Sequence, residues 1–478
     1  MIWHYSFLSR FKKETIVVTP FSLPESAFKA YDIRGTVPEQ LNAGFAYRLG
    51  LALAHSARAN NVTTLVVGYD GRHSSPELSE ALQNGINAGG VNTIDLGMVP
   101  TPVVYYAAHT LDTGSGVAIT GSHNPSHYNG FKMMMAGKTL HGDDIQALKH
   151  LMLDQAQPAA QAGARQQRAL LPDYVAYIRN HVTLSRPMKI ALDTGNGVGG
   201  VVAEELFRAL GCDIDMLYGE VDGNFPNHHP DPADPANLQD LIKHVQNSDC
   251  ELGLAFDGDA DRLGVVTKSG QIIWPDRQLI LYARDILERQ PGATIIFDVK
   301  CSRHVAKEIK AAGGQALMWQ TGHSLIKAKL AQTGAPLAGE MSGHVFFKER
   351  WFGFDDGLYT GARLLEILSR HADPSAVLES LPQDVSTPEL KLELAEGEAH
   401  ALIARLQQEG KFPSAIELNT IDGVRAEYPH GFGLARASNT TPVIVLRFEA
   451  DTHEALAAIQ QEFRLALLAL KADASLPF

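Results

Sequence analysis

The sequence predicts an α/β protein with three related α/β (mixed-sheet) domains in series, followed by a smaller C-terminal α+β domain. Three observations carry that prediction. At 478 residues the chain is too long for one core, and about 100–200 residues per domain gives three or four. One pattern is written three times, roughly 105 to 125 residues apart: an apolar strand closed by an aspartate, a small or polar turn, then an amphipathic helix. Past Ser386-Thr387-Pro388 that pattern gives way to a different mixture of strands and helices.

Taken in order, residues 1–20 lack a signal peptide's layout, since Arg10, Lys12, Lys13 and Glu14 follow only a brief apolar patch; they form an N-terminal extension. The first domain, 21–167, opens on Ala27-Phe28-Lys29-Ala30-Tyr31-Asp32-Ile33-Arg34-Gly35 and a helix over 41–59. Arg34, in a Gly-terminated turn, is either a phosphate or loop anchor or a solvated turn residue. Residues 64–72 are an apolar run stopped by Asp70-Gly71, and a helix over 75–89 follows, the βα pattern of a parallel sheet. A buried strand over 115–119 then opens into Thr120-Gly121-Ser122-His123-Asn124-Pro125, with turn chemistry behind it in Tyr128-Asn129-Gly130. The Ala- and Gln-rich segment 155–167 is a linker or surface turn.

The second domain, 168–269, repeats the pattern at 188–197 with a helix through Leu210. Its irregular loop 222–232 holds His228 and His229; adjacent loop residues rarely ligate one ion, so they read as structural or substrate-gating. The third domain, 270–385, repeats the pattern at 293–302 with a helix over 303–312. The last domain, 386–478, has strands at 416–427 and 442–449 and helices near 397–409 and 452–470.

Composition narrows the function. Hydrophobic content of 45% and charged content of 20% are ordinary for a soluble globular protein. A net charge of -13 argues against nucleic acid or an anionic membrane as partner, yet a local basic pocket can still take an anionic small substrate. Cys212, Cys250 and Cys301 are scattered and odd in number, which fits neither a disulfide framework nor a zinc pattern and points to a reducing cytoplasm. No apolar run is long enough to span a bilayer.

Four stretches carry chemistry. Ser122, where a strand opens into a Gly/Asn/Pro loop, suits a nucleophile or phosphate carrier, although by itself the stretch is equally an ordinary polar loop. Asp257, Asp259 and Asp261 stand at alternate positions of a Gly-containing loop, and three carboxylates crowded together call for a divalent cation. Hard oxygen ligands favour Mg²⁺, with Ca²⁺ or Mn²⁺ as competitors. An EF-hand is excluded, because Lys268 stands where its bidentate glutamate belongs. Gly339-Glu340-Met341-Ser342-Gly343-His344 would present Glu, Ser and His to one side of an extended loop, a way to hold sugar hydroxyls or simply a tight polar turn. Arg436-Ala437-Ser438-Asn439-Thr440-Thr441 puts an arginine, hydroxyls and an amide in one short loop, a cradle for phosphate.

Together, in this order, the four stretches resemble the α-D-phosphohexomutase superfamily, most closely its bacterial bifunctional phosphomannomutase/phosphoglucomutases, over nearly all the chain after about residue 25. The superfamily's phosphoserine loop is usually Thr-Ala-Ser-His-Asn-Pro; Gly121 replaces the alanine. Met341 stands where the phosphoglucosamine mutases more typically have glutamine, which leans against that subgroup. The resemblance implies four domains around a central active-site cleft and a phosphohexomutase that interconverts hexose 6-phosphate and hexose 1-phosphate of mannose and glucose. Ser122 would carry the phosphoryl group, with one Mg²⁺ held by that phosphate and the three aspartates, and a hexose 1,6-bisphosphate would serve as intermediate and activator. Arg262, Lys132 and His123 would be the cations that cancel its charge. Lys132 and His344 would be acid/base groups, and Lys132 would need neighbouring cations to depress its pKa. Arg34 joins these catalytic residues. Tyr31, Lys300, Gly322, His323, Glu340, Ser342, Arg436, Ser438, Asn439 and Thr440 would bind substrate. The expected partners are small hexose phosphates, with no nucleic acid or membrane, and the chain would be a monomer or weak homodimer. A phosphoglucosamine mutase, a metal-dependent sugar-phosphate phosphatase and a non-catalytic sugar-phosphate sensor are the rivals.

Overall fold

The computed structural model describes residues 23–154, 156–395, 397–439 and 441–478; the N-terminal extension and Thr440 lie outside them. Four sheets follow one another along the chain. The first three share a plan. In the first, the strand Thr64–Tyr69 lies between two parallel neighbours, Asn92–Met98 and Gly116–Ile119, and the antiparallel Tyr128–Met135 adds beyond the latter. In the second, Lys189–Asp193 lies between Asp213–Leu217 and Leu252–Phe256, with Leu263–Thr267 antiparallel. In the third, Thr294–Asp298 lies between Gln315–Trp319 and Leu337–Gly339, with Val345–Phe347 antiparallel. The three repeats seen in the sequence are therefore the three central strands. Buried on both faces, they are near-continuous apolar runs, as parallel strands must be.

Helices cover the sheets. Ala43–Ala59 is capped by the Asn42 side chain, which accepts from Phe45 N; Ser75–Ala88 begins with proline in its first turn; Arg303–Ala311 is capped by Ser302. One apolar cluster runs from Val66 and Val104 through Leu254 and Phe297 to Leu368, joining the first three domains. The fourth domain is different. Its mostly antiparallel sheet keeps a core of its own, closed by the helices Glu398–Glu409 and His453–Leu470. It meets the third domain through the small cluster Val299, Phe432 and Leu434. Buried arginines add to this: Arg425 Nη1 donates to the carbonyls of Val299 at 2.6 Å and Cys301 at 2.7 Å, and Arg447 donates to that of Lys300.

Some elements differ from expectation. Within 155–167, Arg165–Gln167 is an edge strand of the first sheet, paired with Asn92–Met98. Strand Ile272–Ile273 completes the second sheet, just past the expected boundary at 269. The run 416–427 is two strands, Glu417–Asn419 and Val424–Tyr428, and Gly431–Ala437 is a further strand of the sheet. Glycine hides that strand from a propensity reading, but it has a packing reason. A Cβ on Gly433 would lie 2.4 Å from the Phe463 ring, so the helix His453–Leu470 lies directly on the sheet there.

Candidate active site

Each of the first three domains offers the same feature to the centre: the hairpin connection between its last parallel strand and the antiparallel one. These connections carry Ser122, the three aspartates, and Glu340, Ser342 and His344.

The Ser122 connection is held open by a residue 50 positions upstream. Arg72, 1% exposed, donates to the carbonyls of Ser122 (2.7 Å), Asn124 (2.6 Å), Pro125 (2.6 Å) and Tyr128 (3.0 Å), and it pairs with Asp70 at 3.2 Å. Asp70 also accepts from Gly121 N at 3.1 Å. A Cβ on Gly121 would lie 2.4 Å from Arg72 Cζ, so the departure from alanine leaves room for this guanidinium. Ser122 itself takes a left-handed backbone, φ 49°, with its N–H bonded to Thr120 Oγ1 at 2.8 Å. Its hydroxyl donates to Asp257 Oδ2 at 3.0 Å, with His123 Nδ1 3.2 Å away.

Asp257, Asp259 and Asp261 are fully buried, and each can offer an oxygen within 4.8 Å of the others. Lys132 Nζ bridges Asp259 at 2.7 Å and Asp261 at 2.5 Å, and Thr101 Oγ1 donates to Asp259 at 2.6 Å. Even so, Oδ1 of Asp259 and Oδ1 of Asp261 are buried without a hydrogen-bond partner. Two orphaned carboxylate oxygens beside a third carboxylate fit a hard divalent cation, since an unpaired buried acceptor is otherwise costly. Burial, reinforced by Asp259 and Asp261, pushes the Asp257 carboxyl well up. Burial opposes ionisation at Asp259 too, but Lys132 and Thr101 outweigh it and hold that carboxyl below its usual value.

Two expectations change here. Burial would lower the Lys132 pKa, yet Asp259 and Asp261 overcome it and raise the ammonium's pKa well above the ordinary lysine value, so neighbouring cations do not depress it. His123 is disfavoured as a cation. Burial, then Arg262, Arg34 and Lys132, hold its imidazole well below the usual range.

Arg262 and His344 join the second and third connections: Arg262 Nε donates to His344 Nε2 at 3.1 Å, and their backbones form a β-bridge. Arg34 pairs with Asp32 at 2.6 Å; with its amide turned oxygen-first, Asn124 accepts from Arg34 Nη1 at 2.9 Å.

The remaining predicted residues gather on the third and fourth domains. Glu340 accepts from Gly322 N at 2.7 Å and from Ser342 Oγ at 3.0 Å, and burial raises its carboxyl pKa. Gly322 has φ 140° and a Cβ there would lie 2.6 Å from the Tyr31 ring, so only glycine brings the two domains this close. Tyr31 donates to Thr321 O at 2.9 Å and accepts from the Asn439 amide, which joins the first, third and fourth domains. Its ring lies 6.1 Å from that of His323. Arg436 pairs with Asp422 at 3.0 Å, Ser438 Oγ accepts from Thr441 N at 3.3 Å, and Lys300 pairs with Glu389 at 2.6 Å.

The sequence reading missed several supports. Arg72 and Asp70 lie inside a quoted run, but no local signal discloses a reach of 50 residues. Asp298, the aspartate of the third repeat, holds the third connection through Met341 N at 3.1 Å and Thr321 Oγ1 at 2.8 Å. Of the paired histidines, His228 is tied to Asp193 at 3.0 Å.

Comparison with known proteins agrees. The phosphoglucomutase/phosphomannomutase family models match in series: alpha/beta/alpha domain I over residues 25–158, domain II over 172–270, domain III over 274–385 and the C-terminal domain over 389–466. A phosphoglucomutase of Neisseria gonorrhoeae is 55% identical over 93% of this chain and 97% of its own length. A phosphomannomutase/phosphoglucomutase of Pseudomonas aeruginosa is 53% identical over 96% and 98%. The crystal structure of a phosphoglucomutase/phosphomannomutase family protein from Burkholderia thailandensis, 55% identical, superposes with a TM-score of 0.92 over 96% of this chain and all of that one. On the four matched domains and these identities, the chain belongs to the phosphoglucomutase/phosphomannomutase family.

Proposed function

We propose that the chain interconverts the 6-phosphates and 1-phosphates of mannose and glucose, with Ser122 as carrier of the transferred phosphoryl group. One observation carries the reading: the Ser122 hydroxyl lies 3.0 Å from Asp257 in a cage where Asp259 and Asp261 each retain an unpartnered oxygen. Asp257, Asp259, Asp261 and phosphorylated Ser122 would hold Mg²⁺, which supplies charge cancellation on the transferring phosphoryl oxygens.

The chain's own residues do the rest. Phospho-Ser122 passes its phosphoryl group to the free hydroxyl of a bound hexose monophosphate: the serine O–P bond breaks, a sugar O–P bond forms, the hydroxyl proton goes to His344 Nε2, and the Lys132 ammonium donates a proton to the leaving Ser122 oxygen. The resulting 1,6-bisphosphate reorients and returns its other phosphoryl group to Ser122, with the proton moving back. Lys132, Arg262 and Arg34 supply positive charge on the transferring side. Glu340 and Ser342 bind the 3- and 4-hydroxyls, which glucose and mannose share, and leave position 2 unread. Arg436, Ser438, Asn439 and Thr440 take the non-transferring phosphate, and Tyr31, Lys300, Gly322 and His323 line the sugar. Arg436 and Lys300 would exchange their carboxylate partners for substrate oxygens. All these groups come from one chain, so a monomer suffices. No helix among the described residues is long and apolar enough to cross a membrane.

The test is intact mass with peptide mapping across Ser122, followed by coupled assays on glucose 1-phosphate and mannose 1-phosphate. Phosphate on Ser122, isomerisation of both sugars with Mg²⁺, and loss of activity in Ser122→Ala are expected. Release of free phosphate without isomerisation would refute the mutase and leave a phosphatase; far faster turnover of glucosamine 6-phosphate would refute the sugar assignment.

A further inference from the structure

Behind His344 lies a carboxylate that none of the four sequence stretches contains. Asp355 is fully buried, and its backbone forms a β-bridge to Phe346, two residues past the histidine. Its Oδ2 lies 3.0 Å from His344 Nδ1. Both atoms are buried and neither makes a well-formed hydrogen bond, so each is the other's nearest charged partner; Asp261 Oδ1 stands off at 3.5 Å and His323 Nδ1 at 3.9 Å. The other Asp355 oxygen accepts from Lys327 Nζ at 2.9 Å, and that ammonium sits 4.3 Å over the Tyr105 ring. On the far edge of the imidazole, Nε2 accepts from Arg262 Nε and so carries a lone pair.

Resting on the proposed mutase reading, we infer that Asp355, braced by Lys327, is the positioning residue for His344: it keeps the ring proton on Nδ1, so that Nε2 is the proton-accepting atom, turned toward Arg262. The argument is geometric. An imidazole that donates from one nitrogen must accept at the other, and here donor and acceptor edges are fixed by different domains. Lys327 keeps Asp355 from swinging to the nearby His323. Asp355 and Lys327 touch neither substrate nor reacting atoms in this scheme.

The test compares Asp355→Asn, Asp355→Glu and Lys327→Met with the wild type in Mg²⁺, reading kcat and KM for glucose 1-phosphate and the tautomer of His344 by ¹⁵N ring spectra, assigned by loss of its signals in His344→Gln. The asparagine variant should lose at least about 30-fold in kcat, with KM within about threefold, and its His344 ring should shift toward the Nε2–H form. The glutamate variant should recover part of the loss. In a His344→Gln background, Asp355→Asn should cost no further kcat. Equal losses in both backgrounds, a change confined to KM, or a wild-type ring already carrying its proton on Nε2 would each overturn the inference. Should Asp355→Asn fail to fold, Lys327→Met decides: it retains the carboxylate but frees it, and an unchanged kcat and ring spectrum would refute the brace. A wild type that isomerises nothing would instead sink the mutase reading, while the ring spectra still judge the positioning.

Discussion

Arg72 is the deepest single dependence of the Ser122 loop, and its replacement by methionine gives a calculable outcome. The side chain is 1% exposed and contributes two fully buried partnerships, with Asp70 Oδ2 and with Ser122 O, besides three half-buried carbonyl bonds. Water can replace the half-buried bonds, so only the buried pair is counted. Hydrogen bonds from a charged donor are worth about 1.5–3 kcal/mol each, and stranding a buried carboxylate costs about 3–5 kcal/mol. These overlapping costs give a destabilisation of roughly 3–5 kcal/mol for the cooperative unit containing the first sheet, hence an unfolding transition lower by roughly 10 °C or more. Activity should fall further than stability. Ser122 is held at φ 49°, a conformation that costs an L-residue about 1–2 kcal/mol, and a loop without its clamp can relax out of it. The assay is calorimetry alongside hydrogen exchange over residues 115–135 and kcat at a temperature well below the lowered transition. Exchange in that segment should accelerate at least about tenfold, with kcat down by about two orders of magnitude. Arg72→Lys should retain part of both, since one ammonium reaches fewer of the carbonyls. An Arg72→Met protein that melts within 2 °C (~1 kcal/mol) of wild type with unaltered exchange would refute the clamp.

Gly121→Ala should push the Arg72 guanidinium off its carbonyls and cost about 1–3 kcal/mol, measured by the same melt; an unchanged melting temperature would mean the guanidinium has room to move. Because burial and Asp259 and Asp261 push the Asp257 carboxyl upward, Mg²⁺ entry should release protons and weaken as pH falls, seen as a buffer-dependent binding enthalpy. An enthalpy identical in two buffers would count against this. Burial raises Asp356 to about 7. The folded state therefore holds this proton more tightly than the unfolded chain, at about 3.9, and the stability so gained is full below that value and lost as pH rises through 7, about 4 kcal/mol at most. Asp356→Asn, which can still cap Tyr359 N, lacks the effect, so its deficit against wild type should shrink between pH 5 and 8 (a window of about 3 units); parallel denaturation curves would refute it.

The three related domains were legible because a central parallel strand must be apolar on both faces and must end where its helix begins, and those constraints are local. The chemistry was legible for the same reason: Asp257, Asp259 and Asp261 are neighbours in sequence, as are Glu340 and Ser342. What stayed hidden depends on distance along the chain. Arg72 reaches Ser122 across 50 residues, Thr101 reaches Asp259 across 158, and Lys132 reaches Asp261 across 129. Charge state was hidden too. The sequence offers Lys132 and His123 alike as cations, yet burial and the charges the fold brings near push their pKa values in opposite directions. The strand Gly431–Ala437 escaped notice because its Gly433 answers to Phe463 on a helix 30 residues later.

The shared plan of the first three sheets explains why the site draws on all of them. Ser122, Asp259 and Ser342 each stand three residues past the end of their last parallel strand, at Ile119, Phe256 and Gly339. On the proposed reading, one scaffold position thus supplies a phosphoryl carrier, a metal ligand and a sugar-binding hydroxyl. The difference comes from the residue two positions earlier. Glu340 takes the Ser342 hydroxyl at 3.0 Å and so commits it. Thr120 takes only the backbone N–H of Ser122, which leaves that hydroxyl to face Asp257, the residue at the corresponding position of the second sheet. On that reading Ser122 serves as the carrier because its own domain holds its oxygen by the imidazole of His123 alone, at 3.2 Å, and a neighbouring domain brings a carboxylate to it. Ser342, with its oxygen held inside its own loop and no carboxylate cage beside it, has the same backbone address without that chemistry.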